Sequence, residues 1–297
     1  MSITNKTLTI VGATGRLAVP VIHRLLENGV QVKAVVRNLD KARELLPENV
    51  DIVYGNVEDV HSLKEAFQGT ENIYIHLNTT SLNPELPFYP EREGVKNIVD
   101  AAQFNGVKQI MQIGGIESLR KDFAVEGVQL KTSLIRDQGM KYIKDSGIPY
   151  TFLFCSFFVD SFPLYIQDKL FAIIGDLKHP LYFTNTSILA KNIYNAIGNP
   201  NAYSQSFAVQ GKEGMPFPEA AKRFVKVYDP EVTIESFPLA ALKEMGMPSE
   251  EEAFMEHMMT FVEQLKEEPI AEKTWKELGE PEMGLEAFAQ ALKDNQI

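Results

Sequence analysis

Cysteine is almost missing from this chain. One residue, Cys155, stands among 297. No disulfide can form within the chain, and no cysteine-based zinc cluster can be built. Long apolar runs are missing too. The longest, about Pro149 to Val159, is too short to span a bilayer. Met1 to Lys6 lacks the apolar core of a secretory signal, so a reducing, cytoplasmic setting without membrane is expected. There is no internal repeat and no low-complexity linker. Basic residues run short in the last quarter: from Asp229 onward there are 17 acidic and 5 basic residues, a net −12. The preceding residues carry 23 acidic and 24 basic, a net +1, so the overall −11 is C-terminal. Phosphates would be repelled there, which argues against a nucleic-acid partner; a solvated helical surface is the simpler reading.

The remaining composition is that of a soluble globular protein, 44% hydrophobic and 23% charged. The length suffices for one domain or one and a half. The organising stretch is Gly12-Ala13-Thr14-Gly15-Arg16-Leu17-Ala18. A β-branched run, Thr7 to Val11, precedes it, and a helical run, Val19 to Glu27, follows. Strand, glycine turn and helix together form a phosphate cradle. Gly12 lets the chain turn off the strand. Gly15 keeps a Cβ away from a pyrophosphate, and Ala18 lets the helix sit close to the sheet. The free N–H groups of the helix's first turn would face the anion, aided by the helix dipole, and Gly12, Thr14, Gly15, Arg16 and Leu17 are the candidates for holding the cofactor here.

Strand and helix patterns then alternate. Gln31 to Val36 reads as the second strand and ends at Arg37. A basic residue here suits the 2′-phosphate of NADP(H), where an acid would suit NAD(H); Lys41 adds charge. The plain alternative is a surface arginine. Asp51 to Tyr54 is the third strand. The Gly55-Asn56-Val57 turn after it lies where an adenine would reach, with Asn56 bonding the base edge and Val57 covering its face, unless Asn56 only caps the turn. Asn72 to Leu77 is the fourth strand, with His76 read as packed inside it. Asn78, Thr79 and Thr80 at its end are candidates for ribose and pyrophosphate. Ser81 to Pro90 is a proline-bearing loop, Glu91 to Asn105 a helix, and Lys108 to Ile113 a strand closing at Gly114. Lys131 to Asp145 is a helix and Tyr150 to Phe154 the sixth strand. A further strand near 206–210 follows the helix Ile188 to Ala196.

The expected fold is therefore α/β, a Rossmann-type doubly wound parallel sheet with helices on both faces. Residues 1–155 form the nucleotide-binding part, completed by the strand near 206–210. Residues 156–297 form a smaller, mostly helical substrate-side region. There Pro218 to Val227 reads as a helix and Val232 to Phe237 as a strand. Ser249-Glu250-Glu251-Glu252 reads as a capping box opening a helix to about Glu267. Met255, Met258 and Met259 are core, or an adaptable surface for a partner subunit or apolar ligand. Glu272 to Leu278 and Leu285 to Leu292 are short helices.

Several ordered blocks resemble the NmrA-like, atypical short-chain dehydrogenase/reductase family. They are Gly12-Ala13-Thr14-Gly15, Val36-Arg37-Asn38 with Lys41-Ala42, Gly55-Asn56-Val57-Glu58-Asp59, and Ser146-Gly147-Ile148-Pro149-Tyr150-Thr151. The likeness runs from about Thr7 to Gly211. It implies NADP(H) as the preferred cofactor, with NAD(H) possible, and no metal. The family holds both NADPH-dependent reductases and cofactor-binding regulators, so either a small-molecule substrate or a regulatory protein partner is implied, and a homodimer is possible.

The chain departs from the family at informative places. The Tyr-x-x-x-Lys pair typical of short-chain dehydrogenases is missing from the helix before the sixth strand. Arg136 stands at the position of the lysine in the isoflavone-reductase-like members. An arginine stays protonated and clamps anions or polarises carbonyls. Tyr165-x-x-x-Lys169 has the right spacing but follows the sixth strand. Cys155 lies among phenylalanines, which favours a buried, inert thiol over a redox sensor. Phe157 and Phe158 are core or line a nicotinamide or substrate pocket. The first expectation is an NADPH-dependent reductase of a small carbonyl, quinone or enone, with Arg136 orienting the ligand. The second is a non-catalytic NADP(H) sensor. Sugar-nucleotide epimerisation ranks third, because it too needs the Tyr/Lys pair.

Overall fold

The structure is a computed structural model describing residues 6–83, 85–125 and 128–294. Seven short runs of apolar residues pair side by side: Thr7–Val11 (β1), Gln31–Val36 (β2), Asp51–Tyr54 (β3), Asn72–Ile75 (β4), Gln109–Gly115 (β5), Tyr150–Cys155 (β6) and Gln205–Val209 (β7). Their order across the sheet is β7-β6-β5-β4-β1-β2-β3, and every pairing is parallel. The chain reverses its winding direction between β1 and β4. The crevice at that reversal, at the carboxyl ends of the strands, is where such sheets take ligands.

Helices cover both faces because strand side chains alternate. Leu8 and Ile10 join one cluster, with Val21, Ile22 and Leu25 of α1 (Ala18–Glu27). Their neighbour Val11 joins the other, with Ile73, Ile75 and Leu63 of α3 (Val60–Ala66). The short α2 (Leu39–Leu45) adds Ala42 to the first cluster. α4 (Val95–Phe104) and α5 (Lys131–Asp145) cover the second face, and α6 (Thr186–Ala196) lies against α1 on the first. Each such side chain taken fully out of water contributes about 1.5–3 kcal/mol.

Two of the boundaries that differ from the sequence expectation matter to the site. β4 stops at Ile75, so His76 lies just beyond the strand. The helix expected from Glu91 opens instead with a π-turn, Pro90–Gly94, before α4 begins. Gly139 on α5 packs directly against that turn: a Cβ there would lie 2.0 Å from the carbonyl oxygen of Glu91.

The remaining chain is mostly helical, and a few short strands join the helices. Ile166–Gln167, Leu170–Ile174 and Thr233–Phe237 form a small three-stranded sheet. The same region holds α7 (Phe217–Tyr228), α8 (Ser249–Gln264), α9 (Glu272–Leu278) and α10 (Leu285–Lys293), with α10 packed on α7 and α9 on α6. The capping box at Ser249 does not form. Pro248 occupies the cap position, its carbonyl accepts from Glu252 N at 2.9 Å, and no side chain caps the helix. A buried carboxylate ties this region to the sheet. Glu267, 3% exposed, accepts from Ser156 Oγ at 2.7 Å, Gln210 Nε2 at 2.9 Å and Tyr182 N at 3.1 Å. Burial raises its pKa despite these donors. Among the described residues no helix is long and apolar enough to cross a membrane.

Candidate functional site

The glycine turn sits where β1 delivers it, between the ends of β1 and β4. Gly12 has φ +85°, a left-handed conformation that favours glycine, and a Cβ there would lie 2.1 Å from the carbonyl oxygen of His76. A Cβ at Gly15 would lie 3.2 Å from both Gly12 O and the His76 ring. Gly15 N donates to Gly12 O at 3.0 Å, and Gly15 O accepts from Ala18 N and Val19 N at 2.9 and 3.1 Å. The Gly15 N–H is thereby spent inside the turn. Those of Thr14, Arg16 and Leu17 meet no protein acceptor among the described residues, and no side chain caps α1. Free N–H groups, a bare backbone and an uncapped helix start suit a pyrophosphate.

Arg37 follows β2 and is exposed, with no carboxylate in ion-pair range among the described residues. Asp40, three positions on, is taken by Arg43 at 3.0 Å. Lys41 lies exposed in the first turn of α2, which Asn38 caps by accepting from Lys41 N. Two cations thus stand beside the β2 end. At the β3 end, Asn56 Oδ1 accepts from Glu58 N at 3.2 Å, and Asn56 N donates to Ser62 Oγ at 3.0 Å. The side chain therefore braces its own turn. Val57 is buried, and a Cβ at Gly94 would lie 3.1 Å from it.

Of the three polar residues after β4, Asn78 and Thr80 are exposed. Thr79 is 2% exposed, and its hydroxyl has no partner among the described residues. At the β5 end Gly114 serves close packing: a Cβ would lie 2.8 Å from the Phe154 ring and 2.9 Å from Met140 Cε.

Arg136 is neutralised. Its Nε lies 2.6 Å from Glu91 Oε1, with the two side chains 16% and 1% exposed. Burial pulls the guanidinium pKa down, but Glu91 and the more distant Glu117 and Asp137 leave it raised overall. Thr132, 4% exposed, stands four residues earlier, where a Tyr-x-x-x-Lys pair would place its tyrosine. Lys169, at φ +64° in a tight turn, bonds Asp229 and Glu231 and makes no pair with Tyr165.

The strand-end position of His76 went unread in the sequence, because the apolar-aromatic run hid the strand boundary. Its Nδ1 lies 3.1 Å from Tyr74 Oη. Burial, helped by the Arg136 charge, lowers its pKa to about 4, so the ring is neutral at physiological pH. The Glu91 partner of Arg136 was equally unread, being 45 positions away. Cys155 is buried, and desolvation raises its thiol pKa far above the usual range, which makes it inert. Phe157 and Phe158 part company. Phe157 stacks edge-on against Phe217 and lines an apolar cavity, whereas Phe158 packs on the opposite core cluster.

The NAD(P)H azoreductase of Xenophilus azovorans is 24% identical over 250 residues, 81% of this chain and 82% of that protein. The photosystem II assembly factor Ycf39 of Cyanophora paradoxa is 27% identical over 156 residues, and the match spans only 51% of this chain and 46% of that one. The structure of an NADPH-dependent quinone oxidoreductase from Escherichia coli complexed with NADPH superposes with a TM-score of 0.73 at 21% identity, covering 96% of this chain and 99% of that chain. Residues 12–164, from the first glycine of the turn to beyond β6, match the NAD(P)H-binding family, and the chain belongs to it.

Proposed function

We propose that the protein is an NADPH-dependent reductase of a small carbonyl, quinone or related conjugated acceptor. The observation that carries the reading is the pair of cations, Arg37 and Lys41, left without a carboxylate at the β2 end, beside a glycine turn with free N–H groups. In this reading Thr14, Arg16 and Leu17 N–H groups hold the pyrophosphate, and Arg37 with Lys41 holds the 2′-phosphate. The cofactor, when bound, supplies a hydride. Arg136 is fixed by Glu91 and braces the site, so it donates no proton; the acceptor's proton comes from water. Names of relatives, an azoreductase and a quinone oxidoreductase, support an acceptor of that chemical class.

A second reading, cofactor binding without turnover, is favoured by the absence of an acid at the tyrosine position, where Thr132 is buried. Titration of nicotinamide fluorescence with NADPH and NADH separates the possibilities. A panel of quinones, enones and azo dyes then follows, with the reduced-nicotinamide absorbance monitored. The reductase reading expects tight NADPH binding, weaker NADH binding and oxidation by at least one acceptor. Binding without oxidation by any of them favours the sensor. Arg37→Asp is expected to weaken NADPH by about 10- to 100-fold, the loss of one charge-assisted hydrogen bond. Unchanged NADPH affinity in that variant refutes the 2′-phosphate assignment.

A further inference from the structure

The histidine just past β4 has a fixed tautomer. Tyr74 Oη lies 3.1 Å from His76 Nδ1, and the tyrosine is 0% exposed. Burial, aided by Cys155, holds the phenol pKa well above its ordinary value, so Tyr74 keeps its proton. A buried O–H needs an acceptor, and among the described residues His76 Nδ1 is the acceptor it has. The neutral imidazole carries one proton. Placed on Nδ1, that proton would turn the ring nitrogen into a second donor and leave the phenol proton stranded. Tyr74 therefore donates to Nδ1, and the ring proton sits on Nε2.

The turn faces that edge of the ring. Nε2 is bonded to Cδ2, and Cδ2 lies 3.2 Å from the place a Cβ on Gly15 would take. The His76 carbonyl lies equally close under Gly12. The half-buried ring thus turns its Nδ1 edge to the core and its Nε2 edge to the glycine turn. Nε2 has no partner among the described residues. We infer that His76 Nε2–H is a further donor to the bound nucleotide, reaching a pyrophosphate oxygen from the β4 side of the turn. The N–H groups of Thr14, Arg16 and Leu17 approach from the α1 side. The ring is a neutral donor and not an acid, since burial and the Arg136 charge both oppose its protonation. The inference rests on nucleotide binding by the family and stands whether or not the cofactor turns over.

Protein labelled with 15N-histidine tests it by long-range proton–nitrogen correlation at pH 7. His76→Gln identifies the His76 signals among the five histidines. The unliganded ring is expected in the Nε2–H form, and NADPH is expected to shift its Nε2 signal. Calorimetry then compares NADPH, ADP-ribose 2′-phosphate, which lacks the nicotinamide, and 2′-AMP, which lacks the pyrophosphate. His76→Phe is expected to weaken the first two about tenfold and to leave 2′-AMP unchanged. His76→Gln, whose amide N–H reaches as far as Nε2, is expected to restore most of the loss. Absence of NADPH binding by the parent protein overturns the nucleotide reading and this inference with it. With binding present, the inference alone is overturned if the proton is on Nδ1, if NADPH leaves the Nε2 signal unmoved, if His76→Phe binds NADPH as tightly as the parent, or if 2′-AMP is weakened equally.

Discussion

The ion pair between Arg136 and Glu91 can be tested as architecture against chemistry. At 2.6 Å and an effective dielectric near 20, the direct attraction is about 6 kcal/mol. Desolvation offsets much of this, so the pair's net worth is small, but its two halves cannot be separated cheaply. Arg136→Met leaves Glu91, 1% exposed, as an unpaired buried carboxylate whose second oxygen already lacks a partner. Removing one member of such a pair costs about 3–5 kcal/mol. Because Arg136 keeps some exposure, the lower end, about 3 kcal/mol, is expected. Glu91→Gln strands the guanidinium and is expected to cost about 2–3 kcal/mol, since an amide oxygen still accepts one bond. The double variant is expected to cost about 2–3 kcal/mol, not the sum, which gives a coupling of at least 2 kcal/mol. Urea unfolding of the four proteins measures this cycle, and NADPH titration on the same samples shows whether the cradle survives. If the single costs add within 0.5 kcal/mol, the pair is not the brace described. If Arg136→Met is fully stable yet loses turnover, Arg136 acts on the ligand and the bracing argument fails.

Two further predictions concern histidines. The pKa of His76 is lowered to about 4 from 6.5, so the native state resists its protonation. Its contribution to stability is complete above pH 6.5 and declines as pH falls toward 4, by up to about 3 kcal/mol. Asp160, whose pKa burial raises to about 6, acts in the opposite sense, so the measurement must be a difference. His76→Gln is expected to flatten the loss of unfolding free energy between pH 7 and pH 4.5 relative to the parent, and an equally steep loss in both proteins refutes the assignment. His257 Nε2 accepts from Lys131 N at 3.0 Å and so caps α5, whose Leu130 offers no side-chain cap. Burial and the Lys131 charge lower the pKa of that ring, so the cap is intact above pH 6.5 and lost on acidification. His257→Ala is expected to cost about 1 kcal/mol and to speed amide exchange in the first turn of α5; unchanged exchange there refutes it.

The central fold was legible because its signals are local. The run Thr7 to Val11 followed by Gly12 and Gly15 specifies strand, turn and helix within twenty residues. Within the candidate site, the placing of Arg37 and Lys41 just after β2 was legible because it, too, is local. What escaped is set by packing between distant segments. Nothing near Arg136 in sequence announces Glu91, and the π-turn that presents Glu91 has no distinguishing periodicity. Ser249 looked like a cap because the rule reads residue types; Pro248 takes that place because its fixed φ suits the entry to α8. Phe157 and Phe158 read as one aromatic patch, yet adjacent residues in extended backbone point to opposite sides. The cavity beside Tyr165 draws its walls from residues 157 to 262, a separation no short-range pattern spans.

The lateness of β7 has a consequence for synthesis. β6 ends at Cys155, and its only outer neighbour, Gln205–Val209, emerges from the ribosome about fifty residues later. Until then Phe152, Leu153 and Phe154 lie on an open edge, an apolar strand with unpaired N–H and C=O groups. The nascent nucleotide-binding half is thus a sticky intermediate rather than a finished domain. A chaperone that shields extended apolar segments would act in this interval, and a chain cut after β6 would expose the same edge permanently. The solubility of the growing chain therefore depends on a strand made late.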